Sequence, residues 1–351
     1  MKIRRLTLEK FTSFQDAEFE FTAGVNVLIG ENGTGKTHIL KLLYVLGEAI
    51  RNHLLGGLPT SPTASTLAGQ VEVMLREVFL AEGVGRLVKR VHGQSKAQIR
   101  CEWDNGAALE VIITKNGKVE ARILPNETAF AQLAKSIFLP TREVISIFPG
   151  FVAAWTLRES AFDRTYYDLC NALSLSPLRG PRDAIRAALI EPLEQALEAK
   201  VLVENGRFYL HYSDGKIEAP LVAEGHRKLA MLAYLVMNGS LTDNGILFWD
   251  EPEASLNPKL ALLTTETMFR LNQLGIQIFL STHDYAMSSE ISLIAERDGH
   301  GTRFFGLRRT PRGIEIESGA TATSLEFNPI LDGLSNLHDR EQAFLAEDAE
   351  Q

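Results

Sequence analysis

Short apolar runs alternate with helix-period stretches along most of the chain. Residues 25–29 form an apolar, β-branched run of strand length. The apolar residues that follow recur at positions 39, 43, 46 and 50, the spacing of one face of an amphipathic helix. Further buried strands are predicted at 136–139, 246–249, 276–283 and 303–307, and helices at 224–237 and 285–296. This alternation predicts an α/β fold with a parallel or mixed core sheet.

Three other regions have a different pattern. Residues 70–124 alternate apolar and polar positions around Asn-Gly turns at 105–106 and 116–117, which predicts an antiparallel β lobe built from hairpins. Residues 52–68 are rich in Gly, Pro, Ser and Thr and are predicted to form a loop. Residues 150–200 are predicted to be helical. Their length allows two antiparallel helices of at most about 40 Å, which predicts a short helical lid and not a long coiled coil.

The composition is that of an ordinary globular protein. Of the 351 residues, 45% are hydrophobic and 23% are charged, which excludes wholesale disorder. No apolar run has the ~18–20 residues of a membrane span, and the first residues lack a signal-peptide core, so we expect a cytoplasmic protein without a membrane partner. The net charge of −8 excludes a uniformly basic nucleic-acid binder, but a local basic groove for DNA stays open. Cys101 and Cys170 are expected to be reduced and buried.

Residues 30–37, Gly-Glu-Asn-Gly-Thr-Gly-Lys-Thr, have the pattern of a phosphate-binding loop between the predicted strand and helix. Glycines let such a loop point its backbone N–H groups at phosphate oxygens. Lys36 is expected to reach the β- and γ-phosphates of ATP, and the Thr37 hydroxyl to bind Mg²⁺. The positive end of the following helix favours the same anion. The predicted nucleotide contacts are Gly30, Asn32, Gly33, Thr34, Gly35, Lys36, Thr37 and His38.

Two adjacent carboxylates, Asp250 and Glu251, stand at the end of another predicted strand. The carboxyl ends of the strands are where an open α/β sheet binds its ligands. We therefore predict that Asp250 binds Mg²⁺ and that Glu251 polarises the water that attacks the γ-phosphate. The predicted cofactors are ATP and Mg²⁺.

The order of these motifs resembles that of ABC-type ATPases, and most closely the SMC/RecF-like and OLD-like branch of AAA family ATP-binding proteins. Asp250 follows Lys36 by 214 residues, and ABC-type ATPases insert a helical lobe in such a gap. Residues 3–21 resemble the first hairpin of that branch, and residues 250–258 resemble its Walker B and D-loop segments. The resemblance implies an ATPase head with an N-terminal lobe at 1–144, a short helical lid and hairpin at 145–215, and a C-terminal lobe at 216–351.

Two more segments carry the resemblance. Residues 276–283 form a predicted strand that ends at His283, in the place of the family's switch histidine. This placement implies that His283 contacts the γ-phosphate and assists catalysis. Residues 221–228 occupy the place of the signature motif, which in this family contacts the ATP held by an opposite subunit. The residues implied to make that contact are Gly225, His226 and Arg227.

The chain departs from the family's pattern at three places. Ala223 stands where the family usually has a Ser that bonds the γ-phosphate, and Asn257 replaces the usual D-loop Asp. These changes are compatible with ATP binding and put the rate of hydrolysis in question. The family's Q-loop Gln is missing after the strand at 136–139. Glu143 or Arg142 could replace its contact with Mg²⁺, and a structural ion pair is the alternative.

Together these features predict an ATP-binding and hydrolysing switch. Two copies, or a higher homo-oligomer, are expected to pair head to tail around two ATP molecules and to separate after hydrolysis. The resemblance implies the ATPase or sensor subunit of a bacterial defence or DNA-associated complex. The sequence has no His/Cys metal spacing and no Gly-x-Ser-x-Gly elbow, and too few residues follow the last predicted strand for the nuclease domain of OLD-type relatives. We therefore expect a separately encoded effector.

Three alternatives stay open. The first is a RecF-like DNA-repair ATPase that binds DNA through a local basic stripe. The second is the nucleotide-binding subunit of a transporter, against which the missing Leu-Ser-Gly-Gly-Gln run argues. The third is a scaffold that binds ATP without hydrolysing it, which Ala223 and Asn257 favour.

Overall fold

The computed structural model describes residues 1–55, 66–90, 95–157, 161–179, 184–241, 244–311 and 313–349. The strands of these residues are β1 (Ile3–Glu9), β2 (Asp16–Glu20), β3 (Val25–Gly30), β4 (Lys96–Trp103), β5 (Ala108–Thr114), β6 (Val119–Leu124), β7 (Ser136–Leu139), β8 (Lys200–Glu204), β9 (Arg207–Tyr212), β10 (Gly215–Glu218), β11 (Ile246–Asp250), β12 (Gln277–Thr282), β13 (Thr302–Thr310) and β14 (Gly313–Gly319). The helices are α1 (Lys36–Leu54), α2 (Leu67–Phe79), α3 (Phe151–Thr156), α4 (Arg164–Leu173), α5 (Ala184–Leu197), α6 (Glu224–Met237), α7 (Pro258–Gln273), α8 (Tyr285–Asp298) and α9 (Pro329–Ala349).

A six-stranded sheet with the order β14-β13-β3-β12-β11-β7 forms the centre of the fold. Neighbouring strands from β13 to β7 are parallel, and β14 pairs with β13 in the antiparallel sense at one edge. The predicted α/β fold with a mixed core sheet is therefore confirmed. The sequence analysis predicted β13 as the closing strand and did not predict β14 or α9.

The strands of this sheet are apolar on both faces because each face covers a different hydrophobic core. On β3, Val25, Val27 and Ile29 pack into one core with α4 to α8, while Leu28 packs into the other core with α1 and α2. On β11, Trp249 belongs to the first core and Phe248 to the second. Continuous apolar runs are the pattern expected of a parallel sheet that is covered on both sides.

The second sheet is antiparallel, with the order β2-β1-β4-β5-β6. It contains the predicted hairpins at both Asn-Gly turns, but residues 70–79 belong to α2 and were wrongly included among them. Thr66 caps α2 by accepting a hydrogen bond from the N–H of Gly69, at 3.1 Å. The buried positions 71, 74, 75 and 78 have the helical spacing that the alternating interpretation overlooked. The predicted loop at 52–68 lies largely outside the described residues.

The described residues between 151 and 197 include three short helices, α3, α4 and α5, which pack on the body of the fold. Phe151, Leu169 and Leu193 lie in the core beneath the central sheet. Trp155 stacks on Tyr167 with ring centroids 4.2 Å apart, and both rings pack against that core. The aromatic residues of this segment are thus packing residues. Of the helices in the described part of the chain, none combines the length and apolar character that a membrane crossing requires.

Candidate functional site

The predicted site residues lie at one edge of the central sheet because its strands are parallel. The strands β3, β12, β11 and β7 are neighbours in that order, with Trp249 beside Leu139 and Thr282 beside Ile29. Their carboxyl ends therefore meet at the same edge. The loops after these four strands carry the phosphate-binding loop, His283, Glu251 and Thr141. This is the edge at which open α/β sheets bind ligands.

The phosphate-binding loop joins β3 to α1 as predicted. Gly33 and Gly35 have φ of 77° and 100°, and a Cβ on Gly35 would lie 2.7 Å from the ring of Phe14. The ammonium of Lys36 donates to the carbonyl oxygens of Gly30, at 2.7 Å, and Glu31, at 3.1 Å. Burial lowers the pKa of Lys36, and the nearby Glu251 opposes that shift. The Lys36 ammonium thus hydrogen-bonds the backbone of the loop that precedes it.

The other predicted loop residues have different surroundings. Asn32 is exposed, and Thr34 is buried and donates to the carbonyl oxygen of Glu31, at 2.8 Å. Arg309 of β13 donates to the carbonyl oxygen of Gly33, at 2.8 Å, a contact that the sequence analysis missed. His38 packs its ring 5.5 Å from that of Phe79, and its buried Nδ1 has no hydrogen-bond partner in the described structure. Burial lowers the pKa of His38.

Hydroxyl groups from three segments surround the carboxylate of Asp250. The Thr37 hydroxyl donates to Oδ1 at 2.9 Å and lies 3.1 Å from Oδ2. Ser281 of β12 donates to Oδ1, and the Thr141 hydroxyl lies 3.3 Å from Oδ2. Carboxylate and hydroxyl oxygens are hard donors, which is the chemistry that Mg²⁺ prefers. The residues present therefore fit the predicted Mg²⁺ site, and Thr141 and Ser281 are contacts of Asp250 that the sequence analysis missed.

Glu251 follows Asp250 in a backbone conformation that few non-glycine residues adopt. Its φ is 49°, and its N–H donates to the carbonyl oxygen of Ser281 at 3.1 Å. Such conformations cost about 1–3 kcal/mol and concentrate at functional sites. Nδ1 of His283 lies 3.5 Å from Oε1 of Glu251, and 53% of the His283 side chain is exposed. The two predicted catalytic residues are therefore neighbours at the open side of the site.

The buried carboxylate of Glu253, which the sequence analysis missed, hydrogen-bonds the backbone of His283. Oε1 of Glu253 accepts hydrogen bonds from the Thr282 hydroxyl, at 2.7 Å, and from the N–H of His283, at 3.2 Å. Burial raises the pKa of Glu253, which these hydrogen bonds partly offset. The sequence signal for it is Asp250-Glu251-Pro252-Glu253, which places a third carboxylate two residues after Glu251.

The signature segment forms the start of α6, and its residues differ in their contacts. A Cβ on Gly225 would lie 2.6 Å from the carbonyl oxygen of Ser255, so this glycine allows α6 to approach the D-loop. The buried ammonium of Lys228 donates to the carbonyl oxygen of Ala254, at 2.7 Å. Asn257 caps α7 by accepting from the N–H of Leu260, at 3.0 Å. His226 is half-buried. The signature and D-loop segments thus form one packed unit.

Glu143 makes an ion pair, the alternative that the sequence analysis left open. Its Oε1 accepts from Nε of Arg227 and from the Ser146 hydroxyl, both at 2.6 Å, and its Oε2 accepts from the N–H of Ser146, at 3.1 Å. Arg227 also donates to the carbonyl oxygen of Val222. Both residues are thus engaged within the chain, and the residue of this loop that reaches Asp250 is Thr141.

We expect Arg227→Met to destabilise the fold, because it leaves the buried Glu143 carboxylate without its cation. Breaking a buried pair costs about 3–5 kcal/mol, and the partial exposure of Arg227 places the loss near the lower end. The free energy of unfolding, measured by denaturant titration, reports this loss. Arg86→Met, which breaks the exposed pair with Glu82, is the matched control and should change it by less than about 1 kcal/mol. Equal small losses in both variants would contradict this account.

Two family models match consecutive parts of the chain. The model described as "AAA ATPase domain" matches residues 1–122, and the model described as "AAA domain, putative AbiEii toxin, Type IV TA system" matches residues 120–288. Together they contain every site residue named above except Arg309. The two matches overlap at residues 120–122, within β6.

Curated relatives resemble the chain over short segments. The DNA replication and repair protein RecF of Streptococcus gordonii is 46% identical over 46 residues, which is 13% of each chain. RecF of Desulfitobacterium hafniense is 46% identical over 55 residues, which is 15% of each chain. The matches therefore span only about one seventh of the length of these relatives.

Solved structures resemble the chain over nearly its whole length. An SMC head bound to the C-terminal winged-helix domain of ScpA matches with a TM-score of 0.60 and 13% identity, over 93% of this chain and 100% of that one. An SMC head from Pyrococcus furiosus, bound to the C-terminal domain of ScpA, matches with a TM-score of 0.51 and 11% identity, over 97% and 99%. At these identities the likeness shows the fold alone.

Proposed function

We propose that the chain is an SMC/RecF-like AAA ATPase that binds ATP with Mg²⁺, hydrolyses it, and forms a dimer while ATP is bound. In this dimer two copies face each other head to tail around two ATP molecules. Each ATP contacts the phosphate-binding loop of one copy and the signature segment of the other. ATP binding then favours the dimer, because a ligand stabilises the state that binds it.

One observation carries the nucleotide-binding part of this proposal. The Thr37 hydroxyl donates to Asp250 at 2.9 Å, although 213 residues separate the two in sequence. This contact brings together the predicted Mg²⁺ ligands of the phosphate-binding loop and of the second strand end. Lys36 lies in the same loop, and its hydrogen-bond partners among the described residues are backbone carbonyl oxygens. A triphosphate would offer its ammonium stronger, charged acceptors.

The proposed hydrolysis uses the open side of the site. Glu251, held by the backbone of Ser281, orients and polarises the attacking water, and His283 donates a hydrogen bond to the γ-phosphate. Glu253 fixes the backbone of His283 and thereby its direction. Bound Mg²⁺ would supply charge neutralisation at the phosphate oxygens.

Two features of the surface support pairing of the heads. Ala223, at the N-cap of α6, makes no side-chain capping bond within the described residues, and a helix start without such a cap favours an anionic partner. Large apolar side chains are exposed near the signature segment and near His283: Leu221 is the first residue of the signature segment, and Tyr285 lies two residues after His283. A second copy would cover them.

Sedimentation velocity tests the proposed dimer directly. With saturating, nonhydrolysable ATP analogue and Mg²⁺, the wild-type chain is expected to sediment as a dimer, and with ADP or without nucleotide as a monomer. His226→Ala should bind the analogue normally and dimerise less, because His226 is proposed to act on the partner's nucleotide. A wild-type chain that binds the analogue and remains monomeric would contradict the proposal.

We further propose that the switch acts in the cytoplasm with a separately encoded effector, in a bacterial defence or DNA-associated complex. The description of the second family model, which names a toxin of a toxin–antitoxin system, supports a defence role. The SMC heads solved with ScpA support the idea that such a head binds a partner protein. Purification of the chain from its source with ATP analogue present, followed by mass spectrometry, tests for that partner.

A second candidate function is DNA binding, and the RecF matches favour it. This function predicts retardation of DNA in gels that weakens steeply with salt, because phosphate contacts release counterions. It also predicts faster ATP hydrolysis in the presence of DNA. No retardation at low salt with the analogue bound would exclude it.

A further inference from the structure

We propose that the hydroxyl of Thr141 is a ligand of the Mg²⁺ that accompanies bound ATP. The proposal rests on the proposed nucleotide binding and names a metal contact within it. Its basis is the convergence of Thr141 with Thr37 on a single carboxylate, that of Asp250.

The topology of the central sheet places Thr141 at this point. The strand β11, which ends at Asp250, lies between β12 and β7. Ser281 of β12 therefore approaches the carboxylate from one neighbouring strand, and Thr141 approaches it from the loop after the other. Ser281 is fully buried, whereas Thr141 is half-buried. Thr141 is thus the neighbour that can reach a ligand, and Ser281 supports Asp250 from inside the fold.

The donor chemistry agrees with this placement. Mg²⁺ takes hard oxygen ligands, and proteins usually bind it with one or two carboxylates together with phosphates and waters. A hydroxyl has two lone pairs as well as its proton, so Thr141 can donate to Asp250 and bind a cation at the same time. Thr37 has the same arrangement on the same carboxylate. Two equivalent hydroxyls beside one carboxylate form a site for a cation that needs several oxygen ligands.

The same loop contains Glu143, which the sequence analysis considered as a Mg²⁺ ligand. Its carboxylate does not contact Asp250 or Thr37 among the described hydrogen bonds. Both carboxylate oxygens of Glu143 are hydrogen-bonded, to Arg227 and to Ser146. Moving Glu143 to the metal would leave the half-buried Arg227 without its carboxylate. Thr141 reaches Asp250 without breaking any such contact.

Thr141→Val removes the hydroxyl and keeps the shape of the side chain, and Thr141→Ser keeps the hydroxyl. The probe is Mn²⁺ with a nonhydrolysable ATP analogue, and free Mn²⁺ is measured by electron paramagnetic resonance. Mutation even of a residue that only supports the metal ligands typically costs 10–100-fold in metal affinity, so we expect loss of the Thr141 hydroxyl in Thr141→Val to weaken Mn²⁺ binding at least about tenfold. Thr141→Ser should remain within about twofold of the wild type. Thermal unfolding of each variant shows that it is folded.

Thr141→Cys separates a ligand from a residue that only orients Asp250. A thiolate is a soft ligand, so the variant should bind Mn²⁺ more weakly and should bind Cd²⁺ at least tenfold more tightly than the wild type does, measured by displacement of Mn²⁺. Cys101 and Cys170 are buried and common to both proteins, so the wild type is the baseline. A residue that only positions Asp250 would lower the affinities for both metals together.

The outcomes distinguish this proposal from the proposed function. Suppose that the wild type binds the ATP analogue and that Thr141→Val binds Mn²⁺ as tightly as the wild type. The proposed metal contact of Thr141 is then overturned, and nucleotide binding stands. Loss of Mn²⁺ affinity without a gain for Cd²⁺ in Thr141→Cys likewise overturns the ligand role. A wild-type chain that binds no ATP analogue, with or without metal, overturns both.

Discussion

Lys36→Ala is expected to weaken ATP binding about 1,000-fold. The ammonium of Lys36 is buried at the mouth of the loop and hydrogen-bonds two backbone carbonyl oxygens, so it is already positioned there. Hydrogen bonds to charged groups contribute about 1.5–3 kcal/mol each, and the loss of two such bonds to phosphate corresponds to about three orders of magnitude. Titration of a fluorescent ATP analogue measures the dissociation constant.

Lys118→Ala is the matched control for Lys36→Ala. It removes the same charge from an exposed position in the β5–β6 hairpin, where Lys118 pairs with Glu120. The control should bind the analogue as the wild type does. Retention of wild-type affinity by Lys36→Ala would mean that the loop between β3 and α1 does not bind the triphosphate, and the proposed function would fall with it.

The elements around the site could be predicted because local patterns specify them. The mainly apolar strands β3, β11 and β12 are buried on both faces, and polar residues end β11 and β12 and follow β3. The one-sided spacing of α6 gave its bounds at Glu224 and Met237. Where two patterns overlap the prediction failed: α2 has both short alternations and a helical face, and only its packing decides between them.

Contacts between distant segments were not accessible to sequence reasoning. Arg309 reaches Gly33 across 276 residues, and Arg227 reaches Glu143 across 84. Threonine is common on any surface, so nothing in the local sequence distinguishes Thr141 from other threonines. The position of Thr141 beside Asp250 follows from the parallel pairing of β7 with β11, which cannot be read from the local sequence. Sequence spacing thus identified the loops, and the sheet order determined which side chain of each loop faces the site.

The ion pair of Glu143 and Arg227 connects two parts of the proposed mechanism. Glu143 lies two residues after Thr141, which contacts Asp250, and Arg227 lies two residues after Gly225 of the signature segment. One short loop therefore touches both the proposed Mg²⁺ site and the surface proposed to contact the partner's nucleotide. In the proposed mechanism this loop would connect Asp250 to that surface when ATP binds.

Glu251→Gln is expected to slow ATP hydrolysis about 100- to 10,000-fold, the contribution typical of a positioned general base. The amide keeps the size of the side chain and cannot accept the proton of the attacking water. Phosphate release under saturating ATP measures the rate. Because Lys36, Thr37 and Asp250 are unchanged, the variant should still bind ATP, and sedimentation should show a dimer that persists with ATP itself, where the wild type returns to monomers.

Glu296→Gln, an exposed change on α8, is the control for Glu251→Gln and should leave the rate unchanged. A wild-type chain that binds ATP and releases no phosphate would favour the nonhydrolysing scaffold, in which Ala223 and Asn257 have removed the chemistry and kept the binding. A hydrolysing wild type whose rate is unaffected by Glu251→Gln would instead show that the unusual φ of 49° at Glu251 serves the turn into the D-loop and not the attacking water. The base would then have to be sought at His283, the exposed side chain 3.5 Å away.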